Sequence, residues 1–162
     1  MYDDESTHLT EYKSKGVKAV ICSFFGHKDA PRSLYPKLKE CIENLIVVHS
    51  VECFIVGNQG EFDKMALQAL RELKNIYPHI CYNVVLAYMP AHKQAYELYD
   101  SSETFLPEGI ETVPKRFAIS WRNRWMVRES DIIVCYITHE WGGAVQFVAY
   151  GKRQKKKVIN LS

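Results

Sequence analysis

Four short segments of the chain carry donor side chains, three of them together with glycine, and they fall at successive points where predicted strands end. Glycine lets the backbone turn sharply and lets a ligand approach closely, and free N–H groups at a helix start attract phosphate. These residue types predict a site for a phosphorylated ligand. The candidate ligand-binding residues are Ser23, Phe24, Gly26, His27, Lys28, Gly57, Asn58, Gln59, Gly60, Asp63, Arg116, Arg122, Asn123, Trp141, Gly142, Gly143 and Ala144.

The segments differ in the chemistry they offer. Gly26 ends an apolar run, and His27 and Lys28 then supply donors for a phosphate. The turn 57–60 opens a helix whose first N–H groups form a phosphate cradle. Arg122 suits bidentate contact with phosphate. The fourth segment, 139–144, contains two adjacent glycines. It follows a predicted buried strand and opens a predicted helix, which is a common placement for phosphate binding.

A plainer interpretation stays open for each segment. His27 and Lys28 are then solvated residues of a turn, and Asp63 caps a helix instead of holding a ribose hydroxyl or a base edge. Arg122 then belongs to an exposed basic helix, and the segment 139–144 is a simple strand-to-helix turn. The joint placement of all four segments favours ligand binding, because ligands of open parallel sheets bind outside the carboxyl ends of the strands.

The elements that position these residues alternate along the chain. Short apolar runs predict buried parallel strands, and apolar residues at helical spacing predict the helices between them. This alternation indicates an α/β fold, a Rossmann-like three-layer sandwich with a mostly parallel sheet of about five strands and helices on both faces. The predicted strands are 17–26, 51–57, 80–89, 131–138 and 157–162, and the predicted helices are 33–49, a stretch that ends at Pro78, 115–129 and 143–154.

Two details of the helices are predicted as well. Ser33 is a plausible N-cap for the first helix, since its hydroxyl can accept a hydrogen bond from a free N–H. In the helix 115–129, Phe117, Trp121 and Trp125 lie four residues apart and share one face. We expect that face to pack in the core.

Composition limits the class of protein. The chain has 162 residues and a net charge of +2, so a strongly basic nucleic-acid footprint is absent overall. No apolar run approaches the roughly 18 residues of a membrane span, and the polar, acidic start does not resemble a signal peptide. We expect a cytoplasmic protein with a flexible polar leader at 1–16, a single domain at 17–162 and a long functional or mobile loop at 90–113.

Cysteine usage argues against a metal centre. The five cysteines show no C-x-x-C spacing, and most lie in apolar runs. An odd number of cysteines in such surroundings favours free thiols in the core. We therefore expect no metal and no cofactor.

With the elements placed, the motifs resemble those of the SLOG superfamily, closest to its small bacterial and phage members related to YpsA and YoqJ. The resemblance runs from about residue 17 to the end, and it implies a Rossmann-like fold and a nucleotide-derived ligand. The superfamily includes the LOG phosphoribohydrolases, the DNA-processing protein DprA and nucleotide-sensing domains of phage defence. The motifs are Ser-Phe-Phe-Gly-His-Lys at 23–28, Val-Gly-Asn-Gln-Gly-Glu-Phe-Asp at 56–63, Leu-Pro-Glu-Gly-Ile-Glu at 106–111, Val-Pro-Lys-Arg-Phe-Ala-Ile at 113–119, Arg-Asn-x-Trp-Met at 122–126 and Trp-Gly-Gly-Ala at 141–144.

The chain departs from the hydrolases of that superfamily. Arg122 and Met126 match their helix motif Arg-Lys-x-x-Met, but Asn123 replaces the lysine. The glycine-rich loop keeps its glycine pair, and Ala149 stands where the hydrolases have a glutamate. N-glycosidic cleavage normally needs such a carboxylate. The carboxylates that could replace it from other loops are Asp63, Glu108, Glu111 and Glu140.

Three hypotheses of function follow. The leading one is a nucleotide-binding sensor or sequestering protein, with a nucleotide-type small molecule as its partner. The alternative is a nucleoside-monophosphate phosphoribohydrolase in which Arg122 is the candidate catalytic residue. The third is a DNA-associated protein resembling DprA. We expect a homodimer or higher homo-oligomer and no membrane partner, and the near-neutral charge makes nucleic acid an unlikely partner.

Overall fold

A computed structural model describes residues 18–89 and 98–162 of the chain. In this part of the chain the strands form one parallel sheet of six, with helices on both faces. This confirms the predicted α/β, Rossmann-like architecture, with one strand more than expected. The predicted leader at 1–16 lies outside the described residues, and so does the first part of the predicted loop, up to residue 97.

The strands and helices follow the predicted alternation. The strands are β1 (Ile21–Gly26), β2 (Cys53–Val56), β3 (Cys81–Val85), β4 (Thr104–Phe105), β5 (Ile132–Tyr136) and β6 (Lys157–Asn160). The helices are α1 (Tyr35–Val47), α2 (Glu61–Ile76), α3 (Lys115–Glu129) and α4 (Gly143–Arg153).

Side chains alternate between the two faces of the sheet and so build two apolar layers. On one face, Phe24 and Phe54 pack in a core with residues of α1 and α2. On the other face, Phe25 and Ile55 pack in a core with residues of α3 and α4. Each large side chain that is fully buried contributes about 1.5–3 kcal/mol. The strands are therefore held rigidly between helices, and their ends have fixed positions.

The order of the strands places one crevice. The order is β4-β3-β2-β1-β5-β6, so the chain moves outward from β1 to β4 and then returns to β5 on the other side of β1. In the pairing of β1 with β5, Gly26 lies opposite Tyr136 at the carboxyl ends of both strands. This reversal is the switch point at which ligands of such sheets bind.

The sixth strand, β4, comes from the segment that we predicted to be a loop. It has only two residues, and they pair with Val84 and Val85 of β3. A strand this short cannot show the alternation that identifies strands in a sequence. Glu103 anchors the segment, because its carboxylate accepts hydrogen bonds from Arg71 of α2 and from the Tyr82 hydroxyl.

The predicted core face of α3 is wrong at Phe117, which is 52% exposed. Trp121 and Trp125 are partly buried and pack against the edges of the core. Tertiary packing overrides the aromatic spacing, because Trp125 lies against Phe105 of β4 at the rim of the sheet. The residues of α3 that are buried are Ala118, Arg122, Met126 and Val127.

The predicted N-cap is also wrong. Ser33 lies inside a 3-10 turn, Arg32–Leu34, and α1 begins after Leu34 without a side-chain cap. A proline in the first turn of α1 reduces the need for one, since proline has no N–H to satisfy. Among the described residues, no helix has the length and apolar character needed to cross a membrane.

Candidate functional site

A cavity of about 540 Å³ lies at the switch point, outside the carboxyl ends of β1 and β5. Most of the predicted ligand-binding residues line it, so segments that are distant in sequence meet there. They are Phe24, Gly26, His27, Lys28, Gly57, Gln59, Asp63, Arg122, Asn123, Trp141, Gly142, Gly143 and Ala144. Their role in binding stays a prediction.

The other four predicted residues do not line the cavity. Ser23 is buried in β1, and its hydroxyl finds no hydrogen-bond partner within 18–89 and 98–162. Asn58 contacts the Arg122 guanidinium, and Gly60 packs against Lys28. Arg116 is exposed on the first turn of α3. Asn58 and Gly60 thus support the cavity from outside.

Arg122 is almost fully buried, at 1% exposure, and its guanidinium ties three segments together. Nη1 donates to the Val85 carbonyl at 2.7 Å and to the Asn58 side-chain oxygen at 3.0 Å. Nε donates to the Asn123 side-chain oxygen at 2.8 Å. Burial lowers the pKa of Arg122 from its ordinary value, while nearby Asp63 opposes that change. The guanidinium therefore holds the ends of β2 and β3 against α3, in addition to facing the cavity.

Asp63 and Arg122 flank Gly57, the residue that follows β2. A Cβ added to Gly57 would lie 2.9 Å from Asp63 Oδ2 and 3.3 Å from Arg122 Cζ. Asp63 Oδ2 also accepts a hydrogen bond from the Gln59 backbone N–H at 2.8 Å. Burial raises the pKa of Asp63 to about 6, with the Gln59 bond and Arg122 opposing. A carboxyl group with that pKa can hold or release a proton near neutral pH.

Three aromatic rings form a ladder along another wall of the cavity. The rings of His27 and His139 stack with centroids 3.6 Å apart, and those of His139 and Trp141 with centroids 3.9 Å apart. Trp141 is 71% exposed. Because His139 covers one face of the indole, the other face is open to solvent. The ladder thus ends in a free aromatic surface beside the cavity.

The inner end of the ladder is fixed by the backbone. His27 is buried, and its Nε2 accepts a hydrogen bond from the Thr138 N–H at 3.0 Å. Burial lowers the pKa of His27, and the neighbouring His139 adds to this effect. Both effects favour the neutral ring, and the bond from Thr138 requires an unprotonated Nε2.

The glycines of the site serve two different purposes. At Gly60, where φ is +96°, a Cβ would lie 2.6 Å from the Lys28 backbone, so this glycine lets two turns pack together. At Gly142 and Gly143 an added Cβ would meet no atom within 4 Å. Gly142 is the N-cap of α4 and provides no side-chain acceptor, so no cap side chain occupies the first N–H groups of the helix. A phosphate can be held there.

Sequence reasoning missed several residues that line the cavity. His139 is the most informative of them, because it joins His27 to Trp141 in the ladder. It begins the predicted strand-to-helix segment 139–144, but sequence reasoning assigned it no binding role. Ser120 also lines the cavity, but only the orientation of α3 reveals it. The full set of additional lining residues is Phe25, Asp29, Ile119, Ser120, Met126, His139, Gln146 and Phe147.

Comparisons with known proteins show similarity in fold. No protein-family model matches the chain, and no curated protein matches it in sequence. Among solved structures, DNA processing protein A (DprA) from Streptococcus pneumoniae matches with a TM-score of 0.66 and 13% identity, over 88% of this chain and 50% of that one. The structure that describes the single-stranded DNA binding mode of DNA processing protein A from Helicobacter pylori matches with a TM-score of 0.60 and 12% identity, over 87% of this chain and 64% of that one.

These matches define the class of fold, the Rossmann-like α/β fold of the DprA proteins. The chain spans half the length of the first matched protein and less than two thirds of the second. The comparison also overturns our expectation that nucleic acid is an unlikely partner, because one matched protein was solved for its single-stranded DNA binding mode. A near-neutral net charge does not exclude such a partner, since affinity for a strand depends on the local arrangement of cations and aromatic rings.

Proposed function

We propose that the cavity binds one nucleotide of single-stranded DNA, with the base stacked on Trp141 and a phosphate held at the start of α4. The observation that carries this proposal is the ladder of His27, His139 and Trp141, which ends in an open indole face beside the glycine pair. The fold shared with DprA proteins supports DNA as the source of the nucleotide.

The same observations support membership of the SLOG superfamily as part of the proposal. The motifs at 23–28, 56–63 and 141–144 meet around one cavity at the switch point of a Rossmann-like sheet. DprA, which the superfamily contains, shares this fold. A relationship to the smaller YpsA-like members rests on the motifs alone.

Stacking on Trp141 supplies affinity without sequence preference. Every base has an aromatic face, and each base that stacks on an aromatic side chain contributes about 1–3 kcal/mol. The ring of His139 backs the indole and holds it in one orientation, so little rotational freedom is lost on binding. Lys28, at the edge of the cavity, adds a cation for the backbone phosphate.

Fluorescence anisotropy with a labelled oligothymidylate tests the proposal. Trp141→Leu removes the stacking surface, and we expect it to weaken binding about 5- to 100-fold. Trp141→Phe keeps an aromatic face and serves as the matched control, with affinity close to that of the wild type. Equal affinity of the Leu and wild-type proteins, or no binding by the wild type, would contradict the proposal.

Free nucleotides form the second arm of the same experiment, because the base and phosphate of a free nucleotide present the same chemistry. The cavity of about 540 Å³ lies within the size range of small-ligand sites. A sensor or sequestering protein would bind mono-, di- or cyclic nucleotides and show a rise in melting temperature with them. Binding of oligothymidylate with no thermal shift from any free nucleotide favours the DNA strand.

A second candidate function, hydrolysis of a nucleotide N-glycosidic bond, is favoured by the position of Asp63. Of the four carboxylates considered as substitutes for the missing glutamate, Asp63 alone lines the cavity, where its pKa is about 6. In this reaction water attacks C1′ of the sugar while the C–N bond breaks, and the base leaves with a proton. The carboxylate of Asp63 would take a proton from the attacking water and pass it, directly or through solvent, to the departing base, which regenerates the carboxylate.

Chromatographic detection of free base from nucleoside monophosphates tests the hydrolase. We expect release by the wild type and a loss of about 100-fold or more in Asp63→Asn, which keeps the size of the side chain. Asp29→Asn, which alters another carboxylate of the cavity, is the matched control. No release of base by the wild type from any of the common nucleotides would rule out this candidate.

A further inference from the structure

The first turn of α3 and the residue Tyr88 form an exposed aromatic and basic surface, which we call the α3 patch: Tyr88, Lys115, Arg116 and Phe117. Phe117 is 52% exposed and Tyr88 is 38% exposed. The Arg116 guanidinium lies 4.7 Å from the centroid of the Phe117 ring, and Lys115 Nζ lies 4.9 Å from that of Tyr88. Two aromatic rings thus each carry a cation at the surface.

The α3 patch continues the surface of the cavity. Arg116, Ser120 and Asn123 are spaced four and then three residues apart, so they share one face of α3. Ser120 and Asn123 line the cavity, and Arg116 lies about 6 Å further along the helix axis. From the other side, the Tyr88 phenol is close enough to affect the pKa of Arg122, which also lines the cavity.

The charge of the α3 patch fits a nucleic-acid strand. Lys115 and Arg116 stand in a helical turn that contains no acidic residue, so no carboxylate of that turn competes with a phosphate for them. Surfaces that bind single strands combine cations that follow the backbone with aromatic rings on which bases stack. The rotation of α3 about its axis that buries Arg122 leaves Phe117 on the surface.

We propose that the α3 patch binds the nucleotide that adjoins the one in the cavity, with a base on Phe117 or Tyr88 and the connecting phosphate near Arg116 and Lys115. This inference rests on the proposed function, since it extends the same strand beyond the cavity. It predicts that the protein grips a strand of several nucleotides and not a single one.

The dependence of affinity on oligonucleotide length tests the inference. We compare an oligothymidylate of about eight nucleotides with a labelled dinucleotide that carries one thymine and one abasic sugar, and so offers a base to the cavity alone, in anisotropy titrations. Phe117→Ala is expected to weaken binding of the longer strand about 5- to 100-fold while the affinity for the dinucleotide stays the same. Phe117→Trp keeps an aromatic ring and is expected to retain the affinity of the wild type.

Arg153→Ala is the matched control for Arg116→Ala, because Arg153 also lies over an aromatic ring, that of Tyr150, at the end of α4. We expect Arg116→Ala to weaken binding of the longer strand and Arg153→Ala to leave it unchanged.

Equal affinity of wild type and Phe117→Ala for the longer strand overturns the inference, as does an equal loss for both lengths. A change from dimer to monomer in Phe117→Ala, measured by light scattering without loss of DNA binding, overturns it in favour of an interface between copies.

Failure of the proposed function has a different signature. If wild-type protein binds neither oligonucleotide, the cavity proposal fails, and the inference fails with it. If Trp141→Leu weakens both lengths while Phe117→Ala weakens neither, the cavity proposal stands and only the α3 patch is refuted.

Discussion

Replacement of Arg122 by methionine separates the structural role of this side chain from its predicted role in binding or catalysis. Methionine approximates the length of the arginine stem but donates no hydrogen bonds. The substitution removes the contacts to Val85, Asn58 and Asn123. A hydrogen bond from a charged donor contributes about 1.5–3 kcal/mol net.

The loss in free energy of unfolding depends on which acceptors lose their hydrogen bond from Arg122. The amide oxygens of Asn58 and Asn123 belong to half-buried side chains, which can turn toward water. The Val85 carbonyl is buried and is left without the Arg122 donor, while removal of a desolvated charge returns part of the loss. We therefore expect the free energy of unfolding to fall by about 2–4 kcal/mol.

Urea denaturation followed by tryptophan fluorescence measures this change. The same loss corresponds to a fall in melting temperature of about 5–12 °C for a domain of this size. Arg124→Met, on the exposed side of the same helix, is the control and should change stability by less than about 0.5 kcal/mol. A stability of Arg122→Met within that margin of the wild type would refute the view that Arg122 holds the strand ends together.

Three further predictions follow from the geometry of the site. Gly60→Ala should destabilise the protein by about 2 kcal/mol or more, because alanine is strained at this φ and would contact the Lys28 backbone. The control is Gly143→Ala, where the added methyl group has open space. This variant should unfold at the same urea concentration as the wild type but bind oligothymidylate more weakly. The pKa of Asp63 is raised to about 6 in the folded protein, so between about pH 4 and pH 6 the folded state binds more protons than the unfolded state. The free energy of unfolding should therefore fall as the pH rises through this range. This pH dependence should disappear in Asp63→Asn, and its persistence would show that another group titrates. In the native protein, only Cys41 should react quickly with a disulfide reagent, because the other four cysteines are buried. All five thiols should react in denaturant. Rapid reaction of more than one thiol in the native protein would contradict this prediction.

Much of the fold was available from the sequence. The apolar runs that end at Gly26 and Gly57 are strands because they are buried on both faces, and such strands read as continuous apolar segments. The period of α2 was equally clear, since Phe62, Met65 and Leu73 face the core at helical spacing. These signals are local, so a single sequence contains them.

The glycine-rich turns of the candidate site were also visible in the sequence, but not the different roles of the glycines. Gly60 and Gly142 both have positive φ. Only the folded chain distinguishes them, because the neighbour of Gly60 is Lys28, which is distant in sequence, while Gly142 faces open space. Spacing along the chain cannot report such contacts.

The tertiary structure alone decided which residues share the cavity and which helix face is buried. His27 stacks on His139 only because β5 returns to the side of β1, and no local pattern specifies that order. The spacing of its aromatic residues predicts one buried face of α3, yet the largest fully buried side chain of that helix is Arg122. The ends of β2 and β3 present acceptors that the buried guanidinium can satisfy. The sequence determined the elements and the chemistry at their ends, whereas long-range packing decided which of those ends meet and left Phe117 on the surface.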